Sequence, residues 1–267
     1  MKRFENPEGT VQRITYWMDA GQDIGARKSQ EDSVAASYPE DERERGILCV
    51  LSDGMGGLSD GKEASEAVVD SMISCFYDAK PDELPERILL KGCREAQRRV
   101  LAMQESPREK GATLTAALIR KERCSFLSVG DSRIYLYRAG GLIQLTRDQN
   151  KRRRIETQVG LGTLPPEART DRTLRSLSMF IGREELDRID RSAQSFRLIP
   201  GDRLLLMSDG VFGALTVKEM ADIVRNASML AARELIEQVL RKGVPNQDNC
   251  TVIVLGCETD WSAGAEA

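Results

Sequence analysis

Histidine is absent from this 267-residue chain. Its absence removes Ser-His-Asp and Cys-His catalysis, HExxH zinc sites, zinc fingers and imidazole acid–base chemistry. No two of the six cysteines form a CxxC pair, and most sit inside apolar runs such as Ile47-Leu48-Cys49-Val50-Leu51, where a free thiol behaves as a small hydrophobe. A disulfide framework is not expected at this length, because the start, Met1-Lys2-Arg3-Phe4-Glu5-Asn6-Pro7-Glu8, lacks the apolar core of a secretion signal. No window approaches the ~18 consecutive apolar residues of a membrane span. Charge is nearly balanced, Lys+Arg 39 against Asp+Glu 42, so no whole-chain field draws the chain to nucleic acid or anionic lipid. A cytoplasmic protein is expected, with neither membrane nor nucleic acid as a partner. Its catalysis would run on carboxylates, Cys, Lys, Arg or a metal held by oxygen.

What is there is a set of short apolar runs ending in Gly/Asp turns. Ile47–Leu51 leads into Ser52-Asp53-Gly54, Cys124–Val129 into Gly130-Asp131-Ser132, and Arg203–Met207 into Ser208-Asp209-Gly210. Arg133–Arg138 continues as another strand, Cys250–Leu255 follows Asp248-Asn249, and Ala139-Gly140-Gly141-Leu142 suits a hairpin turn. Glu63–Ala79 and Leu84–Met103 carry apolar stripes at helical spacing. Two further helices follow Asp209: the capping box Thr216-Val217-Lys218-Glu219 opens one, and Ser228 caps another that ends near Gly243. That order suits a sheet-rich core covered by helices. The stretch 146–182, with Lys151-Arg152-Arg153-Arg154 and Pro165-Pro166, is the least periodic and reads as an irregular flap within a single domain. Residues 1–10 and 258–267 read as frayed ends.

Four apolar strands therefore meet an aspartate at one end: Asp53, Asp131, Asp209 and Asp248. Any one alone is an ordinary turn former. Together at the ends of a sheet they can converge, and converging carboxylates repel unless a cation neutralises them. Without imidazole or a thiolate cluster, Mg²⁺ or Mn²⁺ matches such a site. Upstream, Arg27 and the Glu31-Asp32 pair add a guanidinium, which binds two phosphate oxygens at once. Two such metals can share a hydroxide and clamp an in-line displacement at phosphorus. Cys93-x5-Arg99 has the spacing of a cysteine phosphatase, but it lies mid-helix by its pattern rather than in a phosphate-cradling loop.

The series Arg27…Glu31-Asp32, Asp53-Gly54-Met55-Gly56-Gly57, Gly111-Ala112-Thr113-Leu114, Val129-Gly130-Asp131-Ser132-Arg133, Ser208-Asp209-Gly210-Val211 and Asp248-Asn249 resembles the PPM family, the type 2C metal-dependent Ser/Thr protein phosphatases, and its bacterial branch in particular. The resemblance runs from about Gly21 to Val254. It implies an α+β fold, an αββα sandwich of two mostly antiparallel sheets flanked by helix pairs, in one domain over 1–267 with a core of about 15–257. It further implies that Asp53 bridges two Mn²⁺ or Mg²⁺ ions, that Asp209 and Asp248 complete one, and that Glu31 and the Gly54 carbonyl bind the other. Arg27 would hold the substrate phosphate, Asp131 would bind a weaker third metal, and Asp32 and Asn249 would support the ligands from behind. Implied partners are phosphoserine and phosphothreonine proteins and the kinases that make them, with the chain a monomer.

Three departures from the family pattern stand out. The position four after Asp209, often acidic, is Gly213, which bears on third-metal affinity; a histidine often found after the Asp148 position is Gln149. With no histidine anywhere, the leaving alkoxide must take its proton from water. Two other functions compete: a pseudophosphatase that binds a partner without turnover, and a metal-dependent hydrolase of small phosphomonoesters. A haloacid-dehalogenase type would need Asp-x-Asp where the chain has Asp53-Gly54-Met55, and Gly54–Gly57 lacks the lysine and spacing of a nucleotide-binding P-loop.

Overall fold

The computed structural model describes residues 13–37, 45–55, 59–104, 110–167, 176–227 and 229–260. In chain order its elements are β1 (Arg13–Asp23), β2 (Ser33–Ala36), β3 (Ile47–Ser52), β4 (Gly54–Met55), α1 (Ser59–Asp78), α2 (Pro85–Ala102), β5 (Gly111–Ala112), β6 (Leu114–Arg120), β7 (Arg123–Val129), β8 (Arg133–Arg138) and β9 (Gly141–Gln144). They continue as α3 (Lys151–Gly160), β10 (Asp190–Arg191), β11 (Phe196–Arg197), β12 (Arg203–Met207), α4 (Asp209–Phe212), α5 (Val217–Asn226), α6 (Ala231–Lys242) and β13 (Cys250–Asp260). One antiparallel sheet has the order β1-β13-β12-β8-β9 and the other β10-β7-β6-β3-β2, with β11 also on β7.

Period-two alternation sorts the apolar side chains into three layers. On β3, Leu48 and Val50 join the α1 and α2 side chains Met72, Phe76, Leu89 and Cys93. Ile47, Cys49 and Leu51 instead face the opposite sheet, meeting Leu204, Leu206, Ile253 and Leu255. The alternate residues of β12 and β13, Leu205, Met207, Val252 and Val254, pack under Val224, Leu235 and Val239 of α5 and α6. Helix pair, sheet, sheet, helix pair is the expected αββα sandwich. Both sheets are buried on two faces, so their strands read as continuous apolar runs.

Several boundaries differ from expectation. The first helix begins at Ser59 rather than Glu63. The stretch 146–182 is not irregular throughout, because α3 lies inside it, capped by the Asn150 side chain, which accepts the Arg153 N–H at 3.1 Å. Only Ile155 of α3 is buried, so the helix shows no apolar stripe. Residues 258–260 are not frayed: they continue β13 opposite Thr15, Ile14 and Arg13. The expected capping box is present, with Glu219 N–H donated to Thr216 Oγ1 and Thr216 N–H to Glu219 Oε2. The 139–142 hairpin turns through Ala139 and Gly140, both at positive φ, as a two-residue turn requires. Gly56, Gly57, Ser228 and the termini expected to fray at 1–10 and 261–267 lie outside the described residues.

Candidate metal centre

Antiparallel pairing brings the ends of β1, β3, β7 and β12 and the starts of β2, β6, β8 and β13 to one end of the sandwich. The β1–β2 connection, which passes between sheets, carries Arg27, Glu31 and Asp32. Asn249, at the threshold of β13, anchors it: its side-chain oxygen accepts the Glu31 N–H at 2.8 Å, and its amide nitrogen donates to the Ile24 and Ser29 carbonyls. Asp32 is fully buried behind this loop, with Oδ2 accepting from Ser208 Oγ at 2.8 Å and Thr251 Oγ1 at 2.6 Å.

Asp53 is set by a second bracket. Its N–H donates to Thr113 Oγ1 at 2.9 Å, Thr113 N–H donates back to its carbonyl, and Ser52 Oγ donates to the Thr113 carbonyl. Thr113 Oγ1 also lies 2.7 Å from Ser132 Oγ, which couples the Asp53 turn to the Asp131 turn. The Asp-Gly pairs have a steric cause: a Cβ on Gly54 would collide with the Gly61 carbonyl and one on Gly210 with the Asn249 carbonyl. Gln149 stands where an imidazole was expected, and its Oε1 accepts the Gly130 N–H at 2.9 Å, steadying the Asp131 turn. Thr113 and Gln149 were visible in the motifs, but their bracing roles follow only from the hydrogen bonds.

Arg27, Glu31, Asp53, Asp131, Asp209 and Asp248 all line one cavity of about 270 Å³, with Gly54 and Asn249 in its wall. Met55 and Leu177 form its apolar side, and Leu177, from beyond α3, was not anticipated. Burial, and then the charges of Asp32, Asp209, Asp131 and Asp248, hold the Asp53 carboxyl well above the usual range. Burial and then Asp209 push Asp131 up to about 7, against the hydrogen bond from Asn150. Burial pushes Asp32 to about 6 although Thr251 and Ser208 stabilise its charged form. Among the described residues, Asp32 Oδ1 is a buried oxygen without a hydrogen-bond partner.

A crowd of buried carboxylates that raise one another's pKa is completed by a cation, and the cavity's oxygen donors suit Mg²⁺ or Mn²⁺. The fit is one of donor chemistry, not of a closed cage: among the described residues, no three acidic or thiol groups form a ready-made ligand set. Arg27 Nη2 holds Asp248 Oδ2 at 2.6 Å. A roomier groove of about 770 Å³ lies between α1 and α2, lined by Cys75, Arg87, Lys91 and Arg94, but it is remote from these strand ends. Cys93 of the Cys-x5-Arg spacing is buried in α2 with its thiol pushed up to about 12 by burial, so it presents no nucleophile. No helix among the described residues is long and apolar enough to cross a membrane.

The sequence model for protein phosphatase 2C matches residues 24–241. The serine/threonine protein phosphatase PstP of Mycobacterium tuberculosis is 34% identical over 235 residues, covering 85% of this chain and 42% of that protein. The chain thus spans about two fifths of the length of this curated relative. The structure of the Streptococcus agalactiae serine/threonine phosphatase superposes with a TM-score of 0.78 at 25% identity, covering 91% of this chain and 99% of that one. The PstP catalytic domain, in complex with two manganese ions, gives 0.73 at 30% identity, covering 92% and 100%. The match takes in the Arg27 loop, both Asp-Gly turns and α1 to α5 with nearly all of α6, and with the shared sandwich it shows that the chain belongs to the protein phosphatase 2C family.

Proposed function

We propose that this chain is a metal-dependent serine/threonine phosphoprotein phosphatase. The observation that carries the reading is the convergence of Glu31, Asp53, Asp131, Asp209 and Asp248 with Arg27 on one cavity. PstP, bound to two manganese ions on the same fold, supports it. Asp53 would bridge two ions, Asp209 and Asp248 would complete one, and Glu31 with the Gly54 carbonyl would hold the other. When bound, the ions supply the positive charge and Lewis acidity that hydrolysis of a phosphate monoester requires.

The chain's own residues then divide the remaining work. Arg27 binds the substrate phosphate: its side chain is 55% exposed and its pairing with Asp248 is a surface ion pair, worth about 0–1 kcal/mol. A dianionic phosphate can therefore recruit the guanidinium, which fits two of its oxygens. Asn249 holds the Glu31 backbone and Thr113 that of Asp53, so both backbone turns are set before binding. Met55 and Leu177 give the substrate side chain an apolar wall. The leaving alkoxide takes its proton from water, since the chain has no imidazole. The substrates are phosphoproteins made by Ser/Thr kinases in cytoplasmic signalling, and the chain works as a monomer.

The deciding experiment is phosphate release from a phosphothreonine peptide with Mn²⁺, with EDTA, and with Asp53→Asn. Release that needs Mn²⁺ and vanishes in the variant is expected. Folded protein without release would favour the partner-binding pseudophosphatase, and faster turnover on nucleotides would favour the small-molecule hydrolase.

A further inference from the structure

We infer that Asn150 is a positioning residue of the metal centre: its side-chain amide aims the Asp131 carboxylate and registers α3 and Leu177 against the same cavity. The inference deepens the phosphatase reading above and rests on it. Asp131 lines both the metal cavity and an adjoining one of about 280 Å³, which Asn150 also lines. The backbone on either side of Asp131 is braced without Asn150. Gly130 N–H donates to Gln149 Oε1 and Gln149 N–H to the Gly130 carbonyl, both at 2.9 Å, and Ser132 Oγ lies 2.7 Å from Thr113 Oγ1. Among the described residues, Asn150 alone hydrogen-bonds the carboxylate: its Nδ2 donates to Asp131 Oδ2 at 3.2 Å, and Oδ1 has no such partner. Arg133, whose charge acts on Asp131, gives its hydrogen bonds to Asp148 and Tyr135 instead. One oxygen fixed and the other left open is a form that suits a carboxylate serving a cation.

Asn150 is 8% exposed and makes three connections at once. Besides holding Asp131, its Oδ1 accepts the Arg153 N–H at 3.1 Å and so caps α3. Its backbone pairs with Leu177, flanked by Lys151 N–H to the Ser176 carbonyl at 2.9 Å and Ser178 N–H to the Gln149 carbonyl at 2.8 Å. Leu177 forms part of the apolar side of the metal cavity. Beyond it, Ile181 pairs with Ala112 of β5, whose other partner is Gly54. The segment after α3 is thus tied to the Asp131 side at Leu177 and to the Asp53 side at Ile181. A cap alone does not account for the residue, because Ser or Asp caps a helix as well as Asn does. The amide adds a donor on a different atom from the acceptor. Its two partners fix which atom is which, since a backbone N–H needs the oxygen and a carboxylate needs the nitrogen.

A double-mutant cycle tests this, pairing Asn150→Ser, which keeps a cap but loses the amide, with Asp131→Ala, which removes the carboxylate. The Mn²⁺ concentration for half-maximal phosphate release should rise roughly 10–100-fold in Asn150→Ser, with KM for the phosphothreonine peptide unchanged. The metal-free protein gives a second reading. In EDTA, Asn150→Ser should lower the urea midpoint of the wild type and leave that of Asp131→Ala where it is. Equal urea shifts in the two backgrounds would overturn the inference and leave Asn150 a cap alone, as would an Asn150→Ser protein with the Mn²⁺ requirement of the wild type. A folded wild type that releases no phosphate would overturn the phosphatase reading instead, and the urea cycle would still decide whether Asn150 holds Asp131.

Discussion

Asn249 accepts the Glu31 N–H through its side-chain oxygen at 2.8 Å, joining residues 218 positions apart. Its amide nitrogen spends both hydrogens on the Ile24 and Ser29 carbonyls, so one buried side chain closes the loop that carries Arg27 and Glu31. Asn249→Ala should cost about 1–3 kcal/mol in urea unfolding through the groups left unsatisfied. It should also weaken Mn²⁺ binding by roughly 10–100-fold, as loss of a ligand's support does. Unchanged Mn²⁺ affinity in the destabilised variant would remove Glu31 from the ligand set.

Replacing Asp53 separates stability from function. Its carboxyl is held high first by burial and then by four neighbouring aspartates, so its charge is a liability to the metal-free fold. Asp53→Asn should melt no lower than the wild type in EDTA. Mn²⁺ at 100 times its Kd should stabilise the wild type by about 2.7 kcal/mol and leave the variant unmoved. Calorimetry with and without the metal reads both results.

The thiols should be silent. All six cysteines are buried and free, and burial pushes Cys49 and Cys93 to about 12. Iodoacetamide at pH 8 should leave the native protein unlabelled and its phosphate release intact, while guanidinium should expose all six to mass-spectrometric labelling. Rapid labelling of Cys93 in the native state would reopen the cysteine-phosphatase reading.

Glu219 links α5 to α6 through Lys242 Nζ at 2.6 Å while accepting the Thr216 N–H at 2.8 Å. Lys242 first, and then Thr216, pull its carboxyl from 4.5 to about 2. The unfolded chain binds more protons between those values, so the stability from this group is complete above about pH 4.5 and fades as pH falls toward 2. The difference in urea midpoint between wild type and Glu219→Gln should be largest near neutrality and shrink below pH 4.5. An equal difference at pH 3 and pH 7 would show that the carboxyl is not held low.

The strands buried on both faces were the legible ones. β3, β7, β12 and β13 announce themselves by apolar runs that stop at Gly/Asp turns, and those turns mark the cavity. β1 was missed because its faces mix Thr, Asp and Gln with Tyr, Trp and Met. Leu114–Arg120 was noticed only through its leading Gly-Ala-Thr-Leu, since a run of Leu, Thr, Ala and Ile fits helix and strand alike. α3 lacked any stripe, although Asn150 three residues before Arg153 was a cap in plain view. Which carboxylates share a cavity follows from strand direction, hence their recognition from spacing. The bracing by Thr113, Ser132 and Gln149 depends on register, which a single strand's composition does not encode.

β13 lies between β1 and β12, pairing Asp23–Arg13 on one side with Cys250–Asp260, and it opens directly after Asp248 and Asn249. β1 therefore leaves the ribosome with its partner strand still unmade, and that partner brings both a cavity carboxylate and the anchor of the Arg27 loop. Pairings this distant in sequence form late and slowly. A nascent or interrupted chain that stops short of β13 has one wall of its cavity missing, so the carboxylate cavity closes only once Asp248, Asn249 and β13 have been made.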